Sequence, residues 1–413
     1  MLSKKIKVNV KYLIVNSFWG LLDQTVFLVT GILLTVAFSR LATKEIFGNF
    51  QFILSILSIL TFISIPGINV AVIKYTSHNK DGVYKRGSVL KLLYSLIGIP
   101  LLLIIGVYFF YYESRAVGIG LMSVSVFFPF LYGMDLWESF LVGKKRFKNI
   151  FIYKSIFSVI NLAVVVLVIY LKKDNLTLII LSYVLVHSVF NIIYFLITRR
   201  LIKNSREAPG WRKEGYKLTA RSVISLLYNN VDKIIIGLLL GSVELAVYSI
   251  AVVIYTKLLF FIKEILNVIT PKLFEKTKDE NYKLEKKTMF FALLSISLFV
   301  AVIIVIIPKM YILFFSEKYA DSVRYAQIYM LIVPISFINN IIQIFLVGKN
   351  KINIIIRNQV ISICLNLILY FVLIPIWGIY GAIVSSFIYF LVLLLLNYLY
   401  VRKNSRSYKN FLS

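Results

Sequence analysis

Long apolar stretches alternate with short polar connections along the whole sequence. Each stretch approaches or exceeds the roughly 20 residues that an α-helix needs to cross the hydrocarbon core of a bilayer. Apolar runs of this length favour helices over strands. We therefore predict an all-α integral membrane protein with twelve transmembrane helices. The predicted spans are 12–39, 47–73, 89–112, 117–141, 150–171, 176–198, 218–240, 245–270, 289–307, 324–347, 354–375 and 379–400.

The composition agrees with this pattern and excludes several classes of soluble protein. Of the 413 residues, 60% are hydrophobic and 15% are charged, whereas soluble domains are about half apolar and about a quarter charged. The longest polar gap, 199–217, is too short for a soluble catalytic or DNA-binding domain. We therefore expect no enzyme activity and no nucleic-acid partner. A single cysteine, Cys364, and two scattered histidines, His78 and His187, predict neither a metal site nor another cofactor.

Basic residues are concentrated on alternate loops. Of the 46 Lys and Arg residues, 34 lie on the side that carries both chain ends, eight lie on the opposite side, and four lie within spans. Cytoplasmic loops of membrane proteins carry an excess of Lys and Arg, so we predict that both termini are cytoplasmic. Topology thus accounts for the net charge of +28, which in a soluble protein would suggest nucleic acid.

The chain contains an internal repeat at a spacing of 205 residues. Residues 140–146 read Phe-Leu-Val-Gly-Lys-Lys-Arg, and residues 345–351 read Phe-Leu-Val-Gly-Lys-Asn-Lys. Extending this match without a gap pairs Pro129 with Pro334, Ile150 with Ile355, Ile156 with Ile361 and Asn161 with Asn366. A weaker match near a spacing of 199 pairs 43–45 with 242–244. Such self-similarity indicates a duplicated structural unit.

Each copy of the repeat contains six predicted spans, an even number, so both copies have the same orientation in the membrane. We predict an N-terminal six-helix lobe (1–198), a cytoplasmic linker (199–217) and a C-terminal six-helix lobe (218–413). Two parallel lobes predict a central cavity that opens to alternate sides, as in transporters. Pro129 and Pro334 lie inside spans 4 and 10, where proline interrupts helical hydrogen bonding, and are either hinges or static bends.

Polar residues inside the spans are candidate binding residues, because an ionised group at the bilayer centre costs several kcal/mol unless it faces protein or water. Helical spacing places those of spans 1, 7 and 8 on stripes that would line a hydrated interior. The candidate substrate-binding residues are Asp23, Gln24, Arg221, Asn229, Asp232, Lys233, Lys257 and Lys263.

Each cation in this set also has a simpler interpretation. Arg221 and Lys263 lie close enough to span ends for their side chains to reach the lipid headgroups. Lys233 could neutralise the neighbouring Asp232. Lys257, near the middle of span 8, could form a structural pair with Glu264.

The repeat singles out two acidic residues for ion coupling. Asp135 aligns with Asn340, and Glu138 aligns with Gln343, so each polar position is kept while the acid of the first copy becomes an amide in the second. We expect Asp135, Glu138 or Glu264 to take part in ion or proton coupling. The alternative for the first two is solvation at the membrane interface.

Several short motifs resemble those of bacterial polysaccharide (O-antigen or capsule) flippases of the multidrug/oligosaccharidyl-lipid/polysaccharide exporter superfamily. They are Leu-Val-Gly-Lys at 141–144 and 346–349, the turn at 42–50, its counterpart at 241–249, and the run at 230–237. The resemblance implies translocation of undecaprenyl-diphosphate-linked oligosaccharide from the cytoplasmic to the outer leaflet of the bacterial plasma membrane. It also implies a polysaccharide polymerase and other assembly proteins as partners.

Three other functions compete with this one. A drug/cation antiporter of the same superfamily should have an acidic cavity, whereas the spans here are richer in Lys and Arg. A major-facilitator transporter also has twelve spans, but 81–86 is only a fragment of its usual loop. A membrane polymerase or glycosyltransferase should have a large outward loop with clustered acids or arginines, and the longest outward loop, 308–323, holds only Glu317 and Asp321 with two lysines.

Overall fold

The computed structural model describes the backbone of residues 10–277 and 286–407, and the side chains of 18–263, 266, 270 and 289–403. This part of the chain is helical and contains no β-strand. Its α-helices are α1 (Val10–Leu41), α2 (Lys44–Leu60), α3 (Gly67–Ser77), α4 (Gly82–Leu96), α5 (Gly98–Tyr112), α6 (Arg115–Ser125), α7 (Leu136–Gly143), α8 (Phe147–Leu171), α9 (Leu176–Arg199), α10 (Trp211–Leu239), α11 (Ser242–Thr277), α12 (Lys286–Phe314), α13 (Asp321–Met330), α14 (Ile332–Gly348), α15 (Ile352–Trp377) and α16 (Ile379–Ser407).

The predicted number of membrane spans is confirmed. Eleven helical segments of the described chain are long and apolar enough to cross a bilayer, and a bent pair, Arg115–Ser125 with Pro129–Gly143, makes the twelfth. Several spans consist of two consecutive helices. Gly82–Tyr112, for example, combines α4 and α5 and begins before the predicted start at residue 89. The protein is therefore an all-α, multi-pass membrane protein.

Packing divides the chain into two compact units. The first unit runs to Leu226 without Phe47–Ser55, and the second unit combines Phe47–Ser55 with the chain from Leu227 onward. In the first unit α1 packs on α8, and α8 on α9; in the second, α15 packs on α16, and α11 on α13 and α14. The segment Phe47–Ser55 joins the second unit through ring contacts such as that of Phe47 with Tyr319.

The repeated Gly-Lys elements form the same turn in both units. Lys145 and Asn350 have φ angles of 59° and 57°. The amide of Arg146 donates to Leu141 O at 2.9 Å, and that of Lys351 donates to Leu346 O at 2.9 Å. The amides of Lys145 and Asn350 donate to the carbonyls three residues earlier. In each unit the two hydrogen bonds form a Schellman motif, at the end of α7 and of α14. The repeat found in the sequence is thus confirmed in the local structure.

The weaker match of the repeat also lies at equivalent places. Thr43 caps α2, since its hydroxyl accepts the amide of Ile46 at 3.2 Å, and Glu45 lies in the first turn. Ser242 begins α11, and Glu244 lies in its first turn. Acidic residues near a helix N-terminus interact favourably with the helix dipole.

We expect Lys145→Gly to stabilise the protein, because a left-handed backbone costs an L-residue about 1–2 kcal/mol and costs glycine little. The gain should be up to about 1 kcal/mol, and smaller for Asn350→Gly, since asparagine tolerates this conformation. Thermal unfolding of the purified protein in detergent measures both changes. As a control, Lys85→Gly inside α4 should destabilise by about 1 kcal/mol; a loss at Lys145 as well would contradict the argument.

The two repeated prolines have different surroundings. Pro129 begins a π-helical turn, and the helices on either side of it form an angle of 54°. Pro334 is the third residue of α14, after a break at Leu331, and α13 and α14 together form one span. Proline in a first turn loses no helical hydrogen bond. The bend expected inside span 4 is therefore present, whereas Pro334 lies at a helix start; the hinge role of both remains a prediction.

Candidate functional site

Asp135 lies in an ion cluster of the first unit. It directly precedes α7, and its carboxylate pairs with the ammonium of Lys91 on α4. Lys91 also donates to Asn69 Oδ1 at 2.8 Å, and Asn69 Nδ2 donates to the second oxygen of Asp135 at 3.3 Å. The Lys91 side chain is only 1% exposed. An ammonium buried to this extent requires a counter-ion, and Asp135 supplies it.

Two other predicted residues, Asp23 and Glu138, meet at a second lysine of the first unit. Lys154 Nζ, on α8, lies 3.1 Å from Asp23 Oδ2 on α1 and 3.1 Å from Glu138 Oε1 on α7. Asp23 is buried, whereas 44% of the Glu138 side chain is exposed. The ammonium also lies 5.8 Å from the centre of the Phe27 ring. The structure thus brings together a predicted binding residue and a predicted coupling residue.

The lysines of both clusters are functional candidates that the sequence did not reveal. Lys91 and Lys154 each lie near the predicted start of a span and were counted among the basic residues of cytoplasmic loops. In the structure both lie within helices, and their partners are far away in sequence: Asp135, just before α7, for Lys91, and Asp23 on α1 and Glu138 on α7 for Lys154. A hint was present, since Lys154 lies four residues inside the predicted fifth span.

A third acid–base cluster joins three loops of the first unit. The Asp81 carboxylate is fully buried before α4, and Lys144 Nζ, from the repeated Gly-Lys element, lies 2.6 Å from its Oδ1. The backbone amide of Lys203 donates to Asp81 Oδ2 at 3.0 Å. The Asp81 amide in turn donates to Asn204 Oδ1 at 3.3 Å. Lys144 therefore has a structural partner.

Further ion pairs attach the predicted linker to the first unit. Glu214, in the first turn of α10, accepts hydrogen bonds from Lys74 Nζ at 2.7 Å and from the Tyr75 hydroxyl at 2.6 Å. The hydrogen bond to Glu214 raises the pKa of Lys74 and that of Tyr75. Glu207 lies 2.5 Å from Arg86 Nε. The predicted linker 199–217 thus packs within the first unit, and α10 begins inside it at Trp211.

In the second unit, Asp232 begins a chain of buried hydroxyl groups. The Tyr248 hydroxyl donates to Asp232 Oδ2 at 2.6 Å and lies 2.9 Å from the Tyr329 hydroxyl. Ser386 Oγ lies 3.0 Å from the hydroxyls of both Tyr329 and Tyr370. Among the described residues, no ion pair within 4 Å joins Asp232 to Lys233. Lys233 is therefore no direct ion-pair partner of Asp232 in the described structure, although the two charges interact, and the Tyr248 hydroxyl binds the carboxylate.

Lys233 on α10 and Lys257 on α11 are both half-buried, and the charge of Lys233 acts on Lys257. Lys257 also has a further interaction within the chain. The two lysines contribute positive charge to the second unit, beside the acid Asp232.

The remaining predicted residues are distributed around these clusters. Arg221, Asn229 and Lys263 are exposed, and Gln24 is half-buried on α1 beside Asp23. Arg221 belongs to the first unit, whereas Asp232 of the same helix belongs to the second. The side chain of Glu264 lies outside the described residues, so its predicted pairing with Lys257 stays a prediction.

The fold is that of a multi-pass, all-α membrane protein with buried charges. The sequence of residues 13–276, more than half of the chain, matches the family described as polysaccharide biosynthesis protein. Residues 218–372 match the MatE family. The chain therefore belongs to the polysaccharide biosynthesis protein family. A comparison with curated proteins found no significant sequence match.

Solved structures of the MOP superfamily share the fold of this chain. An inward-facing multidrug resistance MATE family transporter matches with a TM-score of 0.69 at 14% identity, over 94% of this chain and 96% of the other. The lipid II flippase MurJ, in an inward closed conformation, matches with a TM-score of 0.68 at 17% identity, over 94% of this chain and 87% of the other.

A third structure is a MOP superfamily transporter from Pyrococcus furiosus, for which a reverse polarity of the binding pocket suggests a different function. It matches with a TM-score of 0.60 at 12% identity, over 97% of this chain and 96% of the other. Identities this low establish a common fold. The chain thus has the fold of MOP superfamily transporters and flippases, as the sequence motifs predicted.

Proposed function

We propose that this protein is a flippase that translocates undecaprenyl-diphosphate-linked oligosaccharide repeat units from the cytoplasmic to the outer leaflet of the bacterial plasma membrane by alternating access. The observation that carries this proposal is the match of residues 13–276 to the polysaccharide biosynthesis protein family, together with the fold shared with a lipid II flippase. Lys233 on α10 and Lys257 on α11 add positive charge to the second unit, which would favour an anionic headgroup. A diphosphate supplies two negative charges at one place.

The chemistry of such a substrate fits the polar groups of the second unit. Sugars and a diphosphate cannot enter hydrocarbon without hydrogen-bonding partners, whereas a prenyl tail remains in the bilayer throughout. Asn229 and the hydroxyl chain that begins at Asp232 offer groups suited to sugar hydroxyls. Arg221, Lys263, Asp23 and Gln24 remain proposed cavity residues. O-antigen or capsule assembly, with a polymerase as partner, is the context that we propose.

The membrane potential favours export of this substrate. Moving one elementary charge across 100 mV changes the free energy by about 2.3 kcal/mol, so a dianionic headgroup leaving a negative interior gains about 4–5 kcal/mol per 100 mV. The potential alone is thus sufficient to drive export. Coupling to protons or sodium adds to this driving force and is not required for the direction.

The test is a leaflet assay with fluorescent lipid-linked oligosaccharide in proteoliposomes that contain the full chain. We expect Lys233→Ala and Lys257→Ala each to slow flipping about tenfold, which corresponds to about 1.4 kcal/mol of lost binding. The double variant should be slower still. Lys309→Ala, which removes an exposed lysine of α12, is the matched control and should flip at the wild-type rate. Wild-type flipping by the folded double variant would overturn the proposal.

The second candidate function is drug or cation antiport. The match of residues 218–372 to the MatE family and the shared fold with a multidrug resistance transporter favour it. The lysines of the second unit, Lys233 and Lys257, oppose it, because positive charge repels a cationic drug. Uptake of a fluorescent organic cation by the same proteoliposomes, without flipping of the lipid, would favour the antiporter.

A further inference from the structure

Lys154 connects three helices of the first unit. It extends from α8 to Asp23 of α1 and to Glu138 of α7, with its ammonium 3.1 Å from an oxygen of each. The other oxygen of Asp23, Oδ1, is buried and has no hydrogen-bond partner among the described residues. The ammonium therefore provides the ionic contact of a buried carboxylate and shares it with a second, more exposed carboxylate.

The second unit contains an uncharged version of the same contact. At the repeat spacing of 205, Glu138 aligns with Gln343, and Lys154 aligns with Gln359. In the structure Gln359 Nε2 donates to Gln343 Oε1 at 3.4 Å, where the first unit has the 3.1 Å ion pair. Packing of the two helices is thus possible with two amides. Packing alone therefore does not require the charges of the first unit.

Carboxylates from separate helices around one cation are the arrangement that ion pathways in membranes use. Here the cation belongs to the chain itself. We propose that Lys154 is a tethered counter-ion, which occupies the place at Asp23 and Glu138 that a soluble sodium ion or proton would otherwise take. Export by this protein then needs neither ion at this site. The inference deepens the proposed function and rests on it for the transport cycle.

The ammonium stays charged and no covalent bond changes. When α1, α7 and α8 move during transport, Lys154 can shift between buried Asp23 and half-exposed Glu138, because one ammonium already contacts both. The Lys91–Asp135 pair repeats the principle, since this acid too has a lysine as its counter-ion. Both acids proposed for coupling in the first unit are therefore paired within the chain.

The decisive variant copies the second unit into the first. Glu138→Gln/Lys154→Gln keeps a contact that the fold already accepts, but leaves Asp23 buried without a counter-ion. We expect this variant to gain a dependence on sodium or on protons, since either neutralises Asp23. Its unfolding temperature should rise with added sodium and with falling pH by clearly more than that of the wild type. This measurement requires no substrate.

The other charged or titratable groups on the packed helices are common to every variant, so they do not produce a difference between them. They include Lys148 on α8, which contacts Trp19 of α1, Tyr153 on α8, and Tyr183, His187 and Tyr194 on α9; His187 contacts Phe157, and Tyr194 contacts Tyr153. The matched control is Gln343→Glu/Gln359→Lys, which places the ion pair in the second unit and should create no ion dependence.

Flipping provides the second measurement. Without sodium at alkaline pH, Glu138→Gln/Lys154→Gln should flip about tenfold more slowly than the wild type, and sodium or acid should restore most of this loss. Adding Asp23→Asn should abolish the ion dependence. Wild-type flipping by the double variant without either ion, or an equal sodium response in the wild type, would overturn the inference.

The remaining outcomes are also informative. If the double variant does not fold, the uncharged triple variant with Asp23→Asn decides: a folded triple variant supports the inference, and an unfolded one shows that the charges are structural and overturns it. If the wild type flips no lipid-linked oligosaccharide but the thermal ion dependence is found, the proposed function fails while the tethered counter-ion stands.

Discussion

Asp135→Ala is expected to destabilise the protein by about 3–5 kcal/mol, because it leaves an ammonium buried without its counter-ion. Lys91 is 1% exposed and depends on Asp135 and Asn69 for all its polar contacts in the described structure. A loss of this size is a large fraction of the stability of a folded protein. The measurement is thermal unfolding of the purified protein in detergent, followed by tyrosine and tryptophan fluorescence.

The double variant Lys91→Met/Asp135→Ala provides the control. Removing both charges of a buried pair is often neutral, whereas removing one is not, so the double variant should recover at least half of the lost stability. It also separates folding from transport. A double variant that is stable but does not flip lipid would give the charges of this pair a role in the cycle. A double variant as unstable as Asp135→Ala would contradict the explanation that the unpaired, buried ammonium of Lys91 causes the loss of stability.

Lys144→Ala is the second large effect that we expect, again about 3–5 kcal/mol, because the Asp81 carboxylate is fully buried. Without Lys144 the carboxylate keeps the amide of Lys203 as a donor but has lost the cation at 2.6 Å. Unfolding temperature in detergent is the measurement. Limited proteolysis should show faster cleavage near Lys203, since this contact also fixes the segment that follows α9.

Lys85→Ala is the matched control for Lys144→Ala. It removes an exposed lysine from α4, close to Asp81 in sequence, and should change the stability by less than about 0.5 kcal/mol. Asp81→Asn/Lys144→Met removes both charges and should be more stable than Lys144→Ala. Equal losses of stability for Lys85→Ala and Lys144→Ala would show that the ion pair of Lys144 with Asp81 contributes no more to stability than an exposed lysine does.

Much of the architecture could be predicted from the sequence, for a physical reason. The cost of exposing polar groups to hydrocarbon forces long apolar helices, so counting apolar stretches gives the spans. The repeat was also visible, because the same short sequence precedes the same helix-ending turn in both units. Lys145 and Asn350 confirm this with nearly the same left-handed backbone.

The partners of the buried charges could not be predicted in the same way. Lys91 lies 44 residues from Asp135 in sequence, and such a pairing depends on how helices pack rather than on any local pattern. In the sequence, a lysine near the start of a span also looks the same as a loop lysine that sets the orientation of the protein in the membrane. The tyrosines around Asp232 gave no signal either, since the chain contains 27 tyrosines and 32 phenylalanines and aromatic residues are common in membrane helices.

The division of α2 between the units limits how far the two halves of the chain can be separated. Phe47–Ser55 packs with the second unit although its neighbours in sequence belong to the first. A fragment that ends before the second unit would leave this segment without residues on which it packs, such as Tyr319.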